Sequence, residues 1–198
     1  MPDKPDLVAL LGSRICHDLI SPIGAISNGV ELLMMDSGTM GPEIALIAES
    51  VANANARIRF FRVAFGASGT DQRINKAEVI SILSDLTRGG RLTIDLRGPD
   101  DLPKQEVKLV FLLIQCLESA MAFGGRITVD HRDERWTLTG AATRLKLDAD
   151  LWDLLSPPNA KANITAANVH FALIPRELAQ QNRHLTSKLE ATEIALSF

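Results

Sequence analysis

Two long amphipathic helical patterns stand back to back in the first 67 residues, and they constrain the fold more than anything else in the chain. At about 100° per residue, Val8, Leu11, Ile15, Leu19, Ile26, Val30 and Leu33 fall on one stripe. After the polar break Ser37-Gly38-Thr39-Met40, the residues Ile44, Ile47, Val51, Ala54, Ile58, Phe61 and Phe65 recur in alternating steps of three and four, the spacing of a coiled-coil seam. Pro42 suits the first turn of the second helix, where its missing N–H is not needed. Two helices joined this closely form a hairpin roughly 40 Å long at 1.5 Å per residue. A lone hairpin cannot cover both apolar stripes, so the economical expectation is a homodimer in which two hairpins make a four-helix bundle.

One residue of the first helix does not fit a packing role. His17 points almost directly away from the apolar stripe, among Ser13, Ile20, Ser21, Gly24 and Asn28. These neighbours are mostly small and would let another protein approach the imidazole. Pro22 lies inside the same helix, where it removes a backbone hydrogen bond one turn after His17 and is expected to loosen the helix there.

After Ser68-Gly69-Thr70-Asp71 the pattern changes. A helix is expected over Asn75–Leu86, a strand over Arg91–Leu96, and a strongly apolar helix from Leu102 to Phe123, ending at Gly124-Gly125. Three short strands are expected near Arg126–Asp130, Arg135–Gly140 and Ala142–Leu147. A short helix follows at Asp150–Leu155, then a break at Ser156-Pro157-Pro158-Asn159, a helix over Thr165–Asn182 despite Pro175, and closing strands at Thr186–Ala191 and Glu193–Ser197. The fold class is therefore α+β: a helical hairpin over residues 1–68, and an α/β sandwich over 72–198 with helices on one face of a sheet.

Composition narrows the functional classes. The net charge is −3 with dispersed basic residues, which leaves no nucleic-acid footprint. Cys16 and Cys116 lie far apart in apolar helical patterns and read as buried, reduced thiols of a cytoplasmic protein. No uncharged run approaches the about 20 residues of a membrane span, and the acidic N-terminus lacks a signal-peptide core. His131, His170 and His184 are scattered, with no ligand or nucleophile partner at a recognisable spacing, so nothing suggests a hydrolase or a metal site.

The run His17-Asp18-Leu19-Ile20-Ser21-Pro22 matches the H-box of histidine kinases: His, an acidic residue, an apolar residue, two variable positions and Pro. A neutral imidazole nitrogen is a nucleophile near pH 7, and its phosphoramidate can pass the phosphoryl group to a carboxylate on a partner. Asp18 is suited to orienting the ring, and Arg14, three residues before His17, to reaching the phosphoryl oxygens; a plain solvated charge is the other reading of Arg14.

The second part of the chain resembles the ATP-binding domain of histidine kinases in outline but lacks its nucleotide motifs. Ser119 stands where the metal-binding asparagine would be, and Gly140 is the only glycine after Val129, so neither glycine-rich loop can be built. The whole pattern resembles the ChpT-type histidine phosphotransferases of alphaproteobacteria. That resemblance implies a dimeric cytoplasmic relay protein with His17 as the phosphorylated residue and Asp18 as its acidic neighbour. It also implies phosphoryl transfer from the receiver domain of a CckA-type hybrid histidine kinase to CtrA-type and CpdR-type response regulators of the cell cycle. No cofactor is expected on this chain; Mg²⁺ would come with the receiver. The rival readings are an ATP-dependent kinase or phosphatase, with Ser21 positioning a water, and a non-catalytic dimeric scaffold with a relic H-box.

Overall fold

The computed structural model describes residues 6–35, 42–69, 71–155 and 162–198. The breaks expected at Ser37–Met40 and Ser156–Asn159 fall outside them. Helix α1 (Leu7–Met35) runs unbroken through Pro22, and α2 (Pro42–Ala64) packs along it as a hairpin. The helices approach closely because position 29 has no side chain: a Cβ on Gly29 would lie 2.5 Å from Cγ1 of Ile47.

The expected stripes are only partly the buried ones. Val8 and Val30 on α1, and Val51 and Ile58 on α2, are exposed. On the second half of α2 a different face is covered, with Ala56, Phe60, Val63 and Ala64 all buried. The cause is the rest of the chain, since α2 also rests on α3 (Lys76–Thr87) and α4 (Lys104–Ala120), and Phe60 stacks on Phe111 of α4 at 4.8 Å. One helix therefore carries two apolar faces, and a single-seam pattern captured one.

Helix α4 is the core of the molecule. Val107, Leu109 to Leu117 and Ala120 are all buried, including the thiol of Cys116, whose pKa burial pushes well up. It starts later and ends earlier than the sequence pattern indicated. Leu102 belongs to a three-residue strand β3 (Asp101–Pro103) that pairs antiparallel with β1 (Arg73–Asn75), two strands too short for their alternation to show. At the other end, Gly124 adopts φ +92°, and a Cβ there would come within 2.5 Å of the Arg91 carbonyl oxygen.

Five further strands form one sheet in the order β2-β4-β5-β7-β6: β2 (Leu92–Arg97), β4 (Gly125–Arg132), β5 (Arg135–Ala141), β6 (Thr186–Leu189) and β7 (Glu193–Ser197). Only the β2–β4 pair is parallel. Ile127 and Val129 of β4, Trp136 and Leu138 of β5, and Ile194 and Leu196 of β7 are buried on one face in strict alternation. The strand expected at Ala142–Leu147 does not form. Ala141 pairs with Arg126 near the start of β4 and with Glu193 at the start of β7, so the residues after it run past both neighbouring strands. Two short helices follow, α5 (Ala149–Asp153) and α6 (Val169–Gln180), the latter entered through a 3₁₀ turn at Ala166–Asn168 and continuous through Pro175.

Two sequence expectations change. Cys16 is exposed on α1 and not buried. Residues Leu7–Leu33 reach the length and apolar composition that crossing a bilayer requires, which a search for uncharged runs overlooks; here that helix lies along α2 and carries an Arg14–Asp18 ion pair.

Candidate active site

Residues four apart on a helix stand one above the other, so Arg14 and Asp18 meet on the inner flank of α1 while His17 points outward. The His17 side chain is 83% exposed and that of Asp18 only 9%. The Asp18 carboxylate is nonetheless well supplied with donors. Arg14 donates from Nε to Oδ2 at 2.9 Å, and Arg57 of α2 brings Nη1 to 3.6 Å from the same oxygen. The other oxygen, Oδ1, faces Nδ1 of His17 at 3.2 Å. A carboxylate beside Nδ1 favours the tautomer with the ring proton there, which leaves the free lone pair on Nε2.

Arg14 does not point at the surface beside His17. Its Nη1 donates to the backbone carbonyl of Ala167 at 2.6 Å, in the 3₁₀ turn that leads into α6. A residue expected to reach for phosphoryl oxygens is thus engaged on Asp18 and on a carbonyl from the far end of the chain. Proline supplies one more local feature: Pro22 has no N–H to give the backbone carbonyl of Asp18, so the helix is less tightly bonded at the turn that bears the imidazole.

His17 borders a cleft of about 520 Å³. Its walls come from α1 (Asp18, Ser21, Pro22), α2 (Glu49, Asn53, Arg57) and the end of α3 (Leu86, Arg88). The α2 and α3 residues escaped sequence reasoning, because nothing in a helical period says which neighbouring helix ends beside it. Arg88 is tied to Asp85 in the last turn of α3. Of the other expected surface residues, Ser13, Ile20, Gly24 and Asn28 are all exposed, Ile20 at 68%. A Cβ added at Gly24 would touch nothing within 4 Å.

Behind the Arg14–Asp18 pair lies His170, in the first turn of α6. It is 2% exposed, packs against the ring of Phe171, and has no hydrogen-bond partner on either ring nitrogen among the described residues. Burial drives its pKa down to about 3, with Arg14 lowering it further and Asp18 opposing. The ring is therefore neutral near pH 7.

The positions that correspond to nucleotide motifs have other uses. Ser119 turns its hydroxyl onto the carbonyl of Cys116 at 2.7 Å. Gly140 sits in β5 under α4, where a Cβ would lie 3.0 Å from the Met121 sulfur and 3.1 Å from Cδ2 of Leu117. That glycine gives room to a helix packed against the sheet. Among the described residues, no group of three or more His, Cys, Asp or Glu side chains is arranged to hold a metal ion.

The family model of the histidine phosphotransferase C-terminal domain matches residues 76–193. The chain is 35% identical over 170 residues to protein phosphotransferase ChpT of Brucella abortus (strain 2308), a match that covers 83% of this chain and 81% of that one. It also superposes on a solved structure of a bacterial phosphotransferase with a TM-score of 0.82 at 31% identity, over 100% of this chain and 97% of the other.

Proposed function

The chain belongs to the histidine phosphotransferase family, and from that premise we propose that it carries a phosphoryl group on His17 from the receiver domain of a hybrid histidine kinase to response regulators. The observation that carries this reading is the exposed imidazole whose Nδ1 is engaged by Asp18 at 3.2 Å. Nε2 is then the atom that accepts phosphorus, and Asp18 offsets the positive charge that the ring acquires on attack. Phosphoryl transfer asks mainly for positioning and charge neutralisation, which a presented nucleophile beside a polar cleft can supply.

The phosphoryl donor is a CckA-type receiver, and the recipients are CtrA-type and CpdR-type regulators of a cell-cycle circuit. Each docks over Ile20, Ser21 and Gly24, with Ser13 and Asn28 at the margin, and brings its own Mg²⁺. The chain itself takes up neither ATP nor metal, works in the cytoplasm, and divides its labour between a hairpin (1–68) and an α/β part (72–198). The hairpin pairs with a second copy: Ile23 and Val30 of α1 and Val51 and Ile58 of α2 are exposed in a single chain and are the apolar surface such pairing would cover.

The test is direct. A purified, phosphorylated receiver is mixed with the protein, and label is followed into the acid-labile, base-stable fraction typical of phosphohistidine. His17→Ala should abolish uptake while leaving the circular dichroism unchanged; undiminished uptake by a folded His17→Ala variant overturns the reading. Saturable ATP binding at micromolar concentration would overturn the assignment as a relay without its own phosphoryl source.

A further inference from the structure

We propose that Arg57, on α2, is the cation that meets the phosphoryl group as it passes to His17. The inference rests on the reading of His17 as phosphoacceptor and adds a residue that the H-box does not contain.

The argument starts from what the two arginines at Asp18 have left to give. A guanidinium carries five N–H donors in a rigid fork. Arg14 places two of its five donors, Nε on Asp18 at 2.9 Å and Nη1 on Ala167 at 2.6 Å, and is only 22% exposed. Arg57 stands off at 3.6 Å from Asp18, is 42% exposed, and lines the cleft that His17 borders. Its guanidinium therefore borders the same cleft as His17 without a close partner to hold it. Arg88, the other arginine of that cleft, is 69% exposed and pairs with Asp85 of α3, not with the Asp18 that sets the imidazole. Asp18 thus serves as a common reference point: one oxygen sets the imidazole, and the other draws a guanidinium from the opposite helix to the same place.

In the transfer itself, the Nε2 lone pair of neutral His17 attacks phosphorus on the partner's phospho-aspartate. The bond from phosphorus to the acyl oxygen breaks, its electron pair leaves with the aspartate as a carboxylate, and the ring proton stays on Nδ1 opposite Asp18. The phosphoryl oxygens keep two negative charges throughout. A planar fork that can bond two of them at once matches that need better than an ammonium does. The partner's metal neutralises them from its own side, and Arg57 does so from the side of the incoming nitrogen.

The test uses the full chain and a purified, phosphorylated receiver in single-turnover experiments over a range of receiver concentrations. Arg57→Gln should lower the saturating rate about 100-fold, the usual cost of one preorganised donor, with little change in the half-saturating concentration. Arg57→Lys should recover part of the loss. Since Arg57 is partly exposed, both variants should keep the wild-type melting temperature. A rate for Arg57→Gln within twofold of wild type overturns the proposal. So does a loss confined to the half-saturating concentration, which would mark Arg57 as a docking residue. A cycle with Asp18→Asn separates direct from indirect action: if Arg57→Gln costs nothing further in the Asp18→Asn background, Arg57 works only through Asp18 and the proposal fails. His17→Ala runs in parallel; uptake by that variant would mean that the phosphoacceptor assignment, and not Arg57, is at fault.

Discussion

Arg14 of α1 donates to the carbonyl of Ala167 at 2.6 Å, and this bond ties the helix that bears His17 to the 3₁₀ turn that leads into α6. The same guanidinium holds Asp18, so the orientation of the acidic neighbour depends on a contact with the α/β part of the chain.

Arg14→Gln should therefore act on stability as well as on rate. Loss of a largely shielded charged hydrogen-bond pair costs about 1–2 kcal/mol, to be read from urea unfolding, and phosphoryl uptake should fall about tenfold through the disordered Asp18. Arg14→Lys should repair little, because one ammonium does not reproduce a two-ended fork. A variant that loses rate with unchanged stability would assign Arg14 to the phosphoryl group instead.

The pH dependence of stability has a definite sign at His170. Its folded pKa of about 3 lies below the ordinary 6.5, so the unfolded chain binds the extra proton first as pH falls. The stabilisation is complete above pH 6.5 and drains away as the pH drops toward 3. Between pH 7 and 5 this one group removes about 2 kcal/mol. Urea unfolding of wild type and His170→Leu at the two pH values measures it: the variant should lose less stability on acidification, and parallel losses would show that another group is responsible.

Gly124→Ala tests the turn after α4. The substitution demands both a φ of +92° and a Cβ within 2.5 Å of the Arg91 carbonyl oxygen, and it should cost about 2–3 kcal/mol. A melting temperature equal to wild type would mean that the turn has freedom this geometry denies.

The apolar surface of the hairpin makes a prediction about mass. At micromolar concentration the protein should sediment at twice the 21.5 kDa of one chain, and Ile58→Glu, with Val51→Glu added if needed, should return it to a single chain without loss of helix. A wild-type protein that sediments as one chain removes the case for pairing.

The outward direction of His17 was legible in the sequence, because helical period is a local property and α1 obeys it. The run of the strands from β4 onward was legible for the same reason, except after Ala141, where alternation persists but the chain has run past the ends of the strands beside it. The second partner of Arg14 was not legible because it lies 153 positions away, beyond any periodic signal. Arg57 and the cleft were missed because they arise where two helices and the end of a third meet. The three-residue strands β1 and β3 have too few residues for a period to be read at all. What a residue faces on its own helix can be read from the chain; what crosses to meet it cannot.

The two halves of α2 differ in how firmly they are held, and that gives the hairpin the mechanics of a cantilever. Its root is clamped where Phe60 stacks on Phe111 within the core. Its free arm supplies Leu46, Glu49 and Asn53 to the wall of the His17 cleft, and these three are exposed. Residues on the arm can change without disturbing the root, so the choice of partner and the stability of the fold are written on different stretches of one helix and can vary independently.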